Sequence, residues 1–261
     1  MTLLVATALN KSFGGVVAAR DVSFEVGRGE LVALIGPNGA GKSTTFNMVG
    51  GQLPPDSGSV TLEGTPITGL PPYAIWRLGI GRTFQIAQTF VSMSAAENVQ
   101  IALQSSAGAS FDLWRSARDM RRDAALDLLR AVGLHDSAGR SVATLSYGDV
   151  KRVELAIALA SRPKVLLMDE PTAGMARAER STLMGLVARL ARDRGLGVLF
   201  TEHDMDAVFG HATRVMVLVR GEIVARGLPA EVQKNPLVQS LYLGKAGARA
   251  AADATRARGA S

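Results

Sequence analysis

Residues 31–49 constrain this chain more than any other stretch. Leu31-Val32-Ala33-Leu34-Ile35 is a continuous apolar run, as a parallel strand covered on both faces requires. It stops at Gly36-Pro37-Asn38-Gly39-Ala40-Gly41-Lys42-Ser43, and Lys42 to Val49 then reads as a helix opening out of the glycine loop. The loop fits G-x-x-x-x-G-K-[ST] in the strand-to-helix setting that gives the pattern meaning. Glycines let successive backbone N–H groups converge on phosphate oxygens, and the helix N-terminus adds a favourable dipole. Lys42 would reach the β- and γ-phosphates, and the Ser43 hydroxyl would ligand Mg²⁺. The alternative is a glycine-rich turn with an exposed lysine. At average residue usage the pattern arises by chance in roughly one chain in a hundred of this length.

The rest of the chain supplies the framework for such a loop. Before about Gln85, short β-rich runs alternate with Gly/Pro turns. After Lys164, strand–helix alternation returns: Val165–Met168, a helical pattern over Arg177–Arg194, Val198–Thr201, and a hairpin of Val215–Val219 with Glu222–Ala225. This alternation predicts an α/β fold, a mostly parallel sheet flanked by helices. Between Ile86 and Val150 strand signals are few. Ala95–Leu103 and Leu113–Val132 read as helices, the second with Leu113, Ala117, Met120, Ala124, Leu128 and Val132 at spacings of three and four. That stripe is read as a helix covering its own small core. The expected divisions are residues 1–85 for the first part of the core with a β-subdomain, 86–150 for a helical subdomain, 151–244 for the second part of the core, and 245–261 for a disordered basic tail.

Composition excludes several classes. The 261 residues contain no cysteine, so disulfides, thiolate metal sites and a Cys nucleophile are ruled out. No run of about 18 apolar residues occurs, so no spanning helix is expected and a membrane pathway would need another chain. The first ten residues lack the pattern of a secretory signal. Net charge is +6, but Lys245, Arg249, Arg256 and Arg258 of the tail contribute to it and aromatics are only 5% of the chain. No basic stripe is interleaved with aromatics, so no nucleic-acid partner is expected.

A second constellation complements the loop. Val165–Met168 ends in Asp169-Glu170, at the strand end where parallel sheets bind ligands. Asp169 would hold Mg²⁺, and Glu170 would act as general base on the attacking water. Taken alone, the two acids read equally well as a cap on the next helix. Gln85 and His203 also follow apparent strand ends, whereas His135 and His211 read as surface or capping residues.

Leu145-Ser146-Tyr147-Gly148-Asp149, between Gln85 and the two acids, resembles the LSGGQ signature of ABC transporter nucleotide-binding subunits. The resemblance extends over Leu4 to Gly244. It implies a P-loop NTPase core with an antiparallel β-subdomain and an inserted helical subdomain. It also implies ATP and Mg²⁺ as ligands, and ATP hydrolysis coupled to transport. By similarity, Phe13 stacks on adenine, and Gly36, Pro37, Asn38, Gly39, Ala40, Gly41, Lys42, Ser43 and Thr44 cradle the phosphates. Gln85 senses Mg²⁺ and the transport partner, His203 contacts the γ-phosphate, and Ser146 and Gly148 close over the γ-phosphate of a second subunit. This chain departs from the family pattern at Tyr147 (Gly in the signature), Asp149 (Gln) and Ala176 (the Asp of the loop after the acids).

Within the family, Ser12-Phe13-Gly14-Gly15, Gly79-Ile80-Gly81-Arg82-Thr83-Phe84-Gln85, Glu202-His203-Asp204-Met205 and Tyr242-Leu243-Gly244 resemble the longer ATPase subunit of branched-chain amino acid importers. Lipopolysaccharide export, urea and short-chain amide systems are related alternatives; a soluble ABC protein is a more distant one. The implied partners are multi-span permease subunits, a second ATPase subunit (a sister chain or a copy of this one) and, indirectly, an extracytoplasmic solute-binding protein. The implied location is peripheral, on the cytoplasmic face of the inner membrane.

Overall fold

The computed structural model describes residues 1–83, 89–106 and 121–241. In chain order its elements are β1 (Thr2–Phe13), β2 (Val16–Gly27), β3 (Leu31–Ile35), α1 (Lys42–Val49), β4 (Ser57–Leu62), β5 (Thr65–Pro66), α2 (Pro72–Leu78), β6 (Ile80–Thr83), α3 (Ala95–Ser106), α4 (Arg122–Ala131), α5 (Tyr147–Leu159), β7 (Val165–Asp169), α6 (Arg177–Arg194), β8 (Gly197–Thr201), α7 (Met205–His211), β9 (Arg214–Val219), β10 (Glu222–Gly227) and α8 (Pro229–Lys234).

A six-stranded sheet runs β10-β9-β3-β8-β7-β6. Its neighbours from β9 to β6 pair in parallel, and only β10 is antiparallel, returning from β9 through the tight turn at Arg220 and Gly221. A four-stranded antiparallel sheet, β2-β1-β4-β5, makes the second layer.

The period-2 geometry of strands divides β3 between two cores. Val32 and Leu34 face a cluster shared with Leu4, Leu9, Val26 and Phe46, between the sheets and around α1. Leu31, Ala33 and Ile35 face the opposite cluster with Val153, Leu155, Met184 and Val187 of α5 and α6. All five residues are buried because both faces are covered, which is why the run shows no polar alternation. Replacing Phe46, which is 0% exposed, by Ala would cost about 3–5 kcal/mol in lost burial and residual cavity.

Helices α3, α4 and α5 pack on one another and contribute Ala95, Val99, Ala125, Leu129 and Val153 to the second cluster. The expected helix over 113–132 is corrected here: α4 starts at Arg122, because Arg121 has φ 61°, the left-handed region, and cannot continue a right-handed helix. The earlier part of that expectation, residues 113–120, lies outside the described residues. The expected disordered tail lies outside them as well.

Candidate active site

Because β3, β8 and β7 are parallel neighbours, their carboxyl ends share one edge of the sheet. The loop 36–41 leaves β3 there, Thr201 ends β8, and Asp169 ends β7. Residues far apart in sequence therefore meet where open α/β sheets bind ligands.

The loop conformation depends on glycine at two positions. A Cβ on Gly36 would lie 2.1 Å from the Leu218 carbonyl oxygen, and one on Gly41 would lie 2.1 Å from that of Ala18. Gly41 also has φ 103°, so a side chain is excluded twice. From Gly41 the chain enters α1, where the Thr45 hydroxyl donates to the Gly41 carbonyl at 3.0 Å. Lys42 folds back across the loop. Its ammonium donates to the carbonyls of Gly36 at 2.8 Å and Pro37 at 3.2 Å, and the residue is 8% exposed. Burial pushes its pKa below the ordinary lysine value, while the charges of Glu170 and Asp169 pull it back up. Next to it, Ser43 is exposed and Thr44 half-buried at the start of α1.

The acids are held differently from each other. Asp169 Oδ1 accepts the Thr201 hydroxyl at 2.7 Å, and Oδ2 lies 3.7 Å from the Arg82 guanidinium. The Glu170 N–H donates to the Thr201 carbonyl at 3.2 Å and to the Thr201 hydroxyl oxygen at 3.1 Å. Glu170 has φ 48°, unusual for a residue with a side chain, and backbone strain of this kind costs of order 1–3 kcal/mol. Its Oε1 lies 2.9 Å from His203 Nε2. Among the three histidines, His203 is the one at the carboxyl edge; His135 sits beside Asp136 and His211 beside Ser181.

Sequence reasoning missed the residues beneath this pair. Glu202 is 4% exposed; its Oε1 accepts from the Thr172 N–H at 2.8 Å and the Thr172 hydroxyl at 2.6 Å, and its Oε2 accepts from the His203 N–H at 3.1 Å. One buried carboxylate thus joins the loop after Glu170 to the segment carrying His203. Thr201 similarly joins both acids to β8. An acid directly after an apolar strand and before a histidine was the signal available, but its partner at Thr172 is thirty residues away.

Other expected site residues make contacts of their own. Ser146 caps α5, its hydroxyl oxygen accepting from the Asp149 N–H at 3.2 Å, and Gly148 packs beside Glu179 and Met175. Among the described residues, no hydrogen bond of Ser146 or Gly148 reaches the loop 36–43. The Tyr147 ring lies along Gly174, with the Lys151 ammonium 5.6 Å from its centroid. Asp149 lies 3.8 Å from Arg152 Nη1, and the Ala176 N–H donates to Glu179 at 3.3 Å. Phe13, at the end of β1, is 47% exposed, with the Lys11 ammonium 5.7 Å from its ring centroid. Gln85 and Phe84, and Tyr242 to Gly244, lie outside the described residues.

As a whole, the edge offers backbone amides and an ammonium for phosphates, a hydroxyl and a carboxylate for a hard cation, and a carboxylate–imidazole pair. No group of three or more acids, histidines or cysteines suited to hold a metal by itself occurs among the described residues. A Mg²⁺ ion bound by substrate phosphates and water with one or two protein oxygens fits Ser43 and Asp169; an all-protein cage does not.

Comparison with known proteins places the chain in one family. The ABC transporter family model matches residues 19–173. The high-affinity branched-chain amino acid transport ATP-binding protein LivG of Salmonella typhimurium is 38% identical over 251 residues, covering 94% of this chain and 98% of that protein. The lipopolysaccharide export system ATP-binding protein LptB of Acidithiobacillus ferridurans is 40% identical over 242 residues, covering 93% and 97%. The ADP conformation of MJ1267, an ATP-binding cassette of an ABC transporter, superposes with a TM-score of 0.83 at 31% identity, covering 94% of this chain and 100% of that one. The dimeric cassette MJ0796 bound to ADP and Pi gives a TM-score of 0.72 at 26% identity, covering 87% and 99%. The chain belongs to the ABC transporter family and is one of its ATP-hydrolysing cassettes.

Proposed function

We propose that this cassette powers an importer of branched-chain or other hydrophobic amino acids from the cytoplasmic face of the inner membrane. The observation that carries the catalytic part is the Glu170–His203 contact of 2.9 Å, placed at the same sheet edge as Lys42. Glu170 accepts the proton of the attacking water, and His203 holds the Glu170 carboxylate and meets the γ-phosphate. The loop 36–44 and Lys42 bind the phosphates, and Phe13 stacks on adenine. Mg²⁺, held by Ser43 and Asp169 with Gln85, supplies charge neutralisation on the phosphates. Catalysis of this kind rests on positioning and charge stabilisation.

Among the described residues no hydrogen bond joins Ser146 or Gly148 to their own chain's loop; they serve the loop of a second cassette, a reading the dimeric relative supports. The cargo reading rests on the likeness to LivG and on the Arg82–Gln85 run. Among the described residues no helix is long and apolar enough to cross a membrane, so the pathway belongs to permease subunits, supplied by a solute-binding protein. A groove of about 470 Å³ suits such a partner. Tyr73, Trp76, Phe90 and Ile101 line it, with Tyr73 66% and Phe90 56% exposed, and Arg82 and Phe90 flank the segment 84–88.

The test is Glu170→Gln in the assembled transporter. Turnover should fall at least about a hundredfold, the range of one positioned general base, while ATP still binds. Near-wild-type turnover would remove the role assigned to Glu170. Co-purification with lipopolysaccharide export components in place of an amino-acid permease would overturn the cargo.

A further inference from the structure

Arg82 lies outside the catalytic set, yet among the described residues it touches Gln52, Asn47 and Asp169 at once. It stands in β6, in register with Leu167 of β7, and its side chain is 15% exposed. Nη1 donates to Gln52 Oε1 at 2.8 Å, Nη2 donates to Asn47 Oδ1 at 3.0 Å, and Nη2 lies 3.7 Å from Asp169 Oδ2. Asn47 belongs to α1, the helix that opens from the phosphate loop. Asp169 is the acid at the end of β7. Gln52 lines the groove described above, and so does Arg82 itself.

A guanidinium is a rigid planar fork whose donor directions move together. Displacing the Gln52 side redirects Nη2, the donor to Asn47, and with it the charge beside Asp169. The fork has little slack on the Gly50 side, where even a Cβ would lie 3.3 Å from Nη1. Burial costs a charged group free energy unless it keeps hydrogen-bond partners, so the two Nη donors follow Gln52 and Asn47 and do not release them.

We propose that Arg82 is a positioning residue that couples the groove to the active site. A partner seated in the groove sets, through Gln52 and Arg82, the orientation of Asp169 and of α1. Coupling between two sites is reciprocal, so nucleotide at the loop changes the groove. The inference rests on the reading of the loop as the ATP site and of the groove as the permease-facing surface.

The chain itself carries the reporter. It has two tryptophans, and Trp76 lines the groove; Trp114→Phe leaves Trp76 as the sole emitter. In the full-length chain, a non-hydrolysable ATP analogue with Mg²⁺ should shift Trp76 emission and raise the melting temperature. Arg82→Lys keeps the charge but replaces the fork with one ammonium. It should abolish the emission shift and raise the Mg²⁺ concentration for half-maximal thermal stabilisation about tenfold, the scale of one charge-assisted hydrogen bond, here the one from Nη2 to Asn47 of the helix that carries Ser43. Gln52→Ala, at an exposed residue, should weaken the emission shift and leave the Mg²⁺ requirement unchanged. A wild-type emission shift and Mg²⁺ requirement in Arg82→Lys, or an intact shift in Gln52→Ala, overturns the coupling while the ATP-site reading stands. No analogue binding by the parent chain overturns both.

Discussion

The buried carboxylate of Glu202 gives the most exacting prediction. Its two oxygens accept three hydrogen bonds: two from Thr172, which is 1% exposed, and one from the His203 N–H. Glu202→Gln is nearly isosteric but replaces one acceptor with an NH₂ donor. Facing His203, the NH₂ meets a backbone N–H; facing Thr172, it meets a backbone N–H and a hydroxyl, of which only the hydroxyl can rotate to accept. Either orientation leaves a backbone donor without its carboxylate acceptor, buried at Thr172 or partly buried at His203, and removes a charge-assisted bond, about 2 kcal/mol in total. For a domain of this size that lowers the melting temperature by roughly 4–8 °C. The lost bonds also fix the loop after Glu170 relative to His203, so kcat should fall about tenfold or more, while KM for ATP changes less. Glu202→Ala orphans both backbone donors and should be worse on both counts. The assay is thermal melting with steady-state ATP turnover. A Glu202→Gln protein melting with the wild type and turning over normally would refute the claim that this carboxylate holds Glu170 and His203, the proposed catalytic pair.

Other substitutions probe the loop and α7. Gly41→Ala combines φ 103° with a 2.1 Å approach to the Ala18 carbonyl, so ATP should no longer raise the melting temperature; retained stabilisation would show that the loop tolerates a side chain. Asp204 caps α7 by accepting from the Ala207 N–H at 3.0 Å and also pairs with Arg180. Asp204→Ala should therefore cost about 1 kcal/mol from the cap alone, and Asp204→Asn, which keeps an acceptor, should cost less in a melting comparison. The Ala207 N–H, with further help from Arg180, holds the Asp204 carboxyl below its ordinary 3.8, so this stabilisation is present above that value and is lost as pH falls through the lower folded value. Burial pushes the His211 pKa below its ordinary 6.5. The unfolded chain then takes up a proton that the folded chain does not, and stability should decline as pH falls below about 6.5. His211→Gln should flatten that decline in denaturant titrations across the window, and an unchanged slope would assign the decline to other groups.

Local chemistry made much of this molecule legible in its sequence. The run Leu31–Ile35, the glycine loop and Lys42–Val49 appear as β3, turn and α1 because strand burial, φ preference and helix entry act within a few residues. Arg177–Arg194 likewise appears with the expected bounds as α6. The helix expected over 113–132 shows how periodicity can mislead: its apolar stripe continues through Arg121, but spacing carries no information about the left-handed φ that starts α4 there.

For the site, the sequence named the residues able to carry charge and protons: Lys42 where the glycine loop enters α1, and Asp169, Glu170 and His203 at or just past strand ends. Which groups hold them depends on how the strands come together. Thr201 reaches Asp169 and the adjoining Glu170 because β7 and β8 pair in parallel with Asp169 opposite Thr201. Glu202 reaches Thr172 and Arg82 reaches Asn47, Gln52 and Asp169 for the same kind of reason. Strand order and register are set by long-range burial on both faces of the sheet, so no local pattern in the sequence could have named these partners.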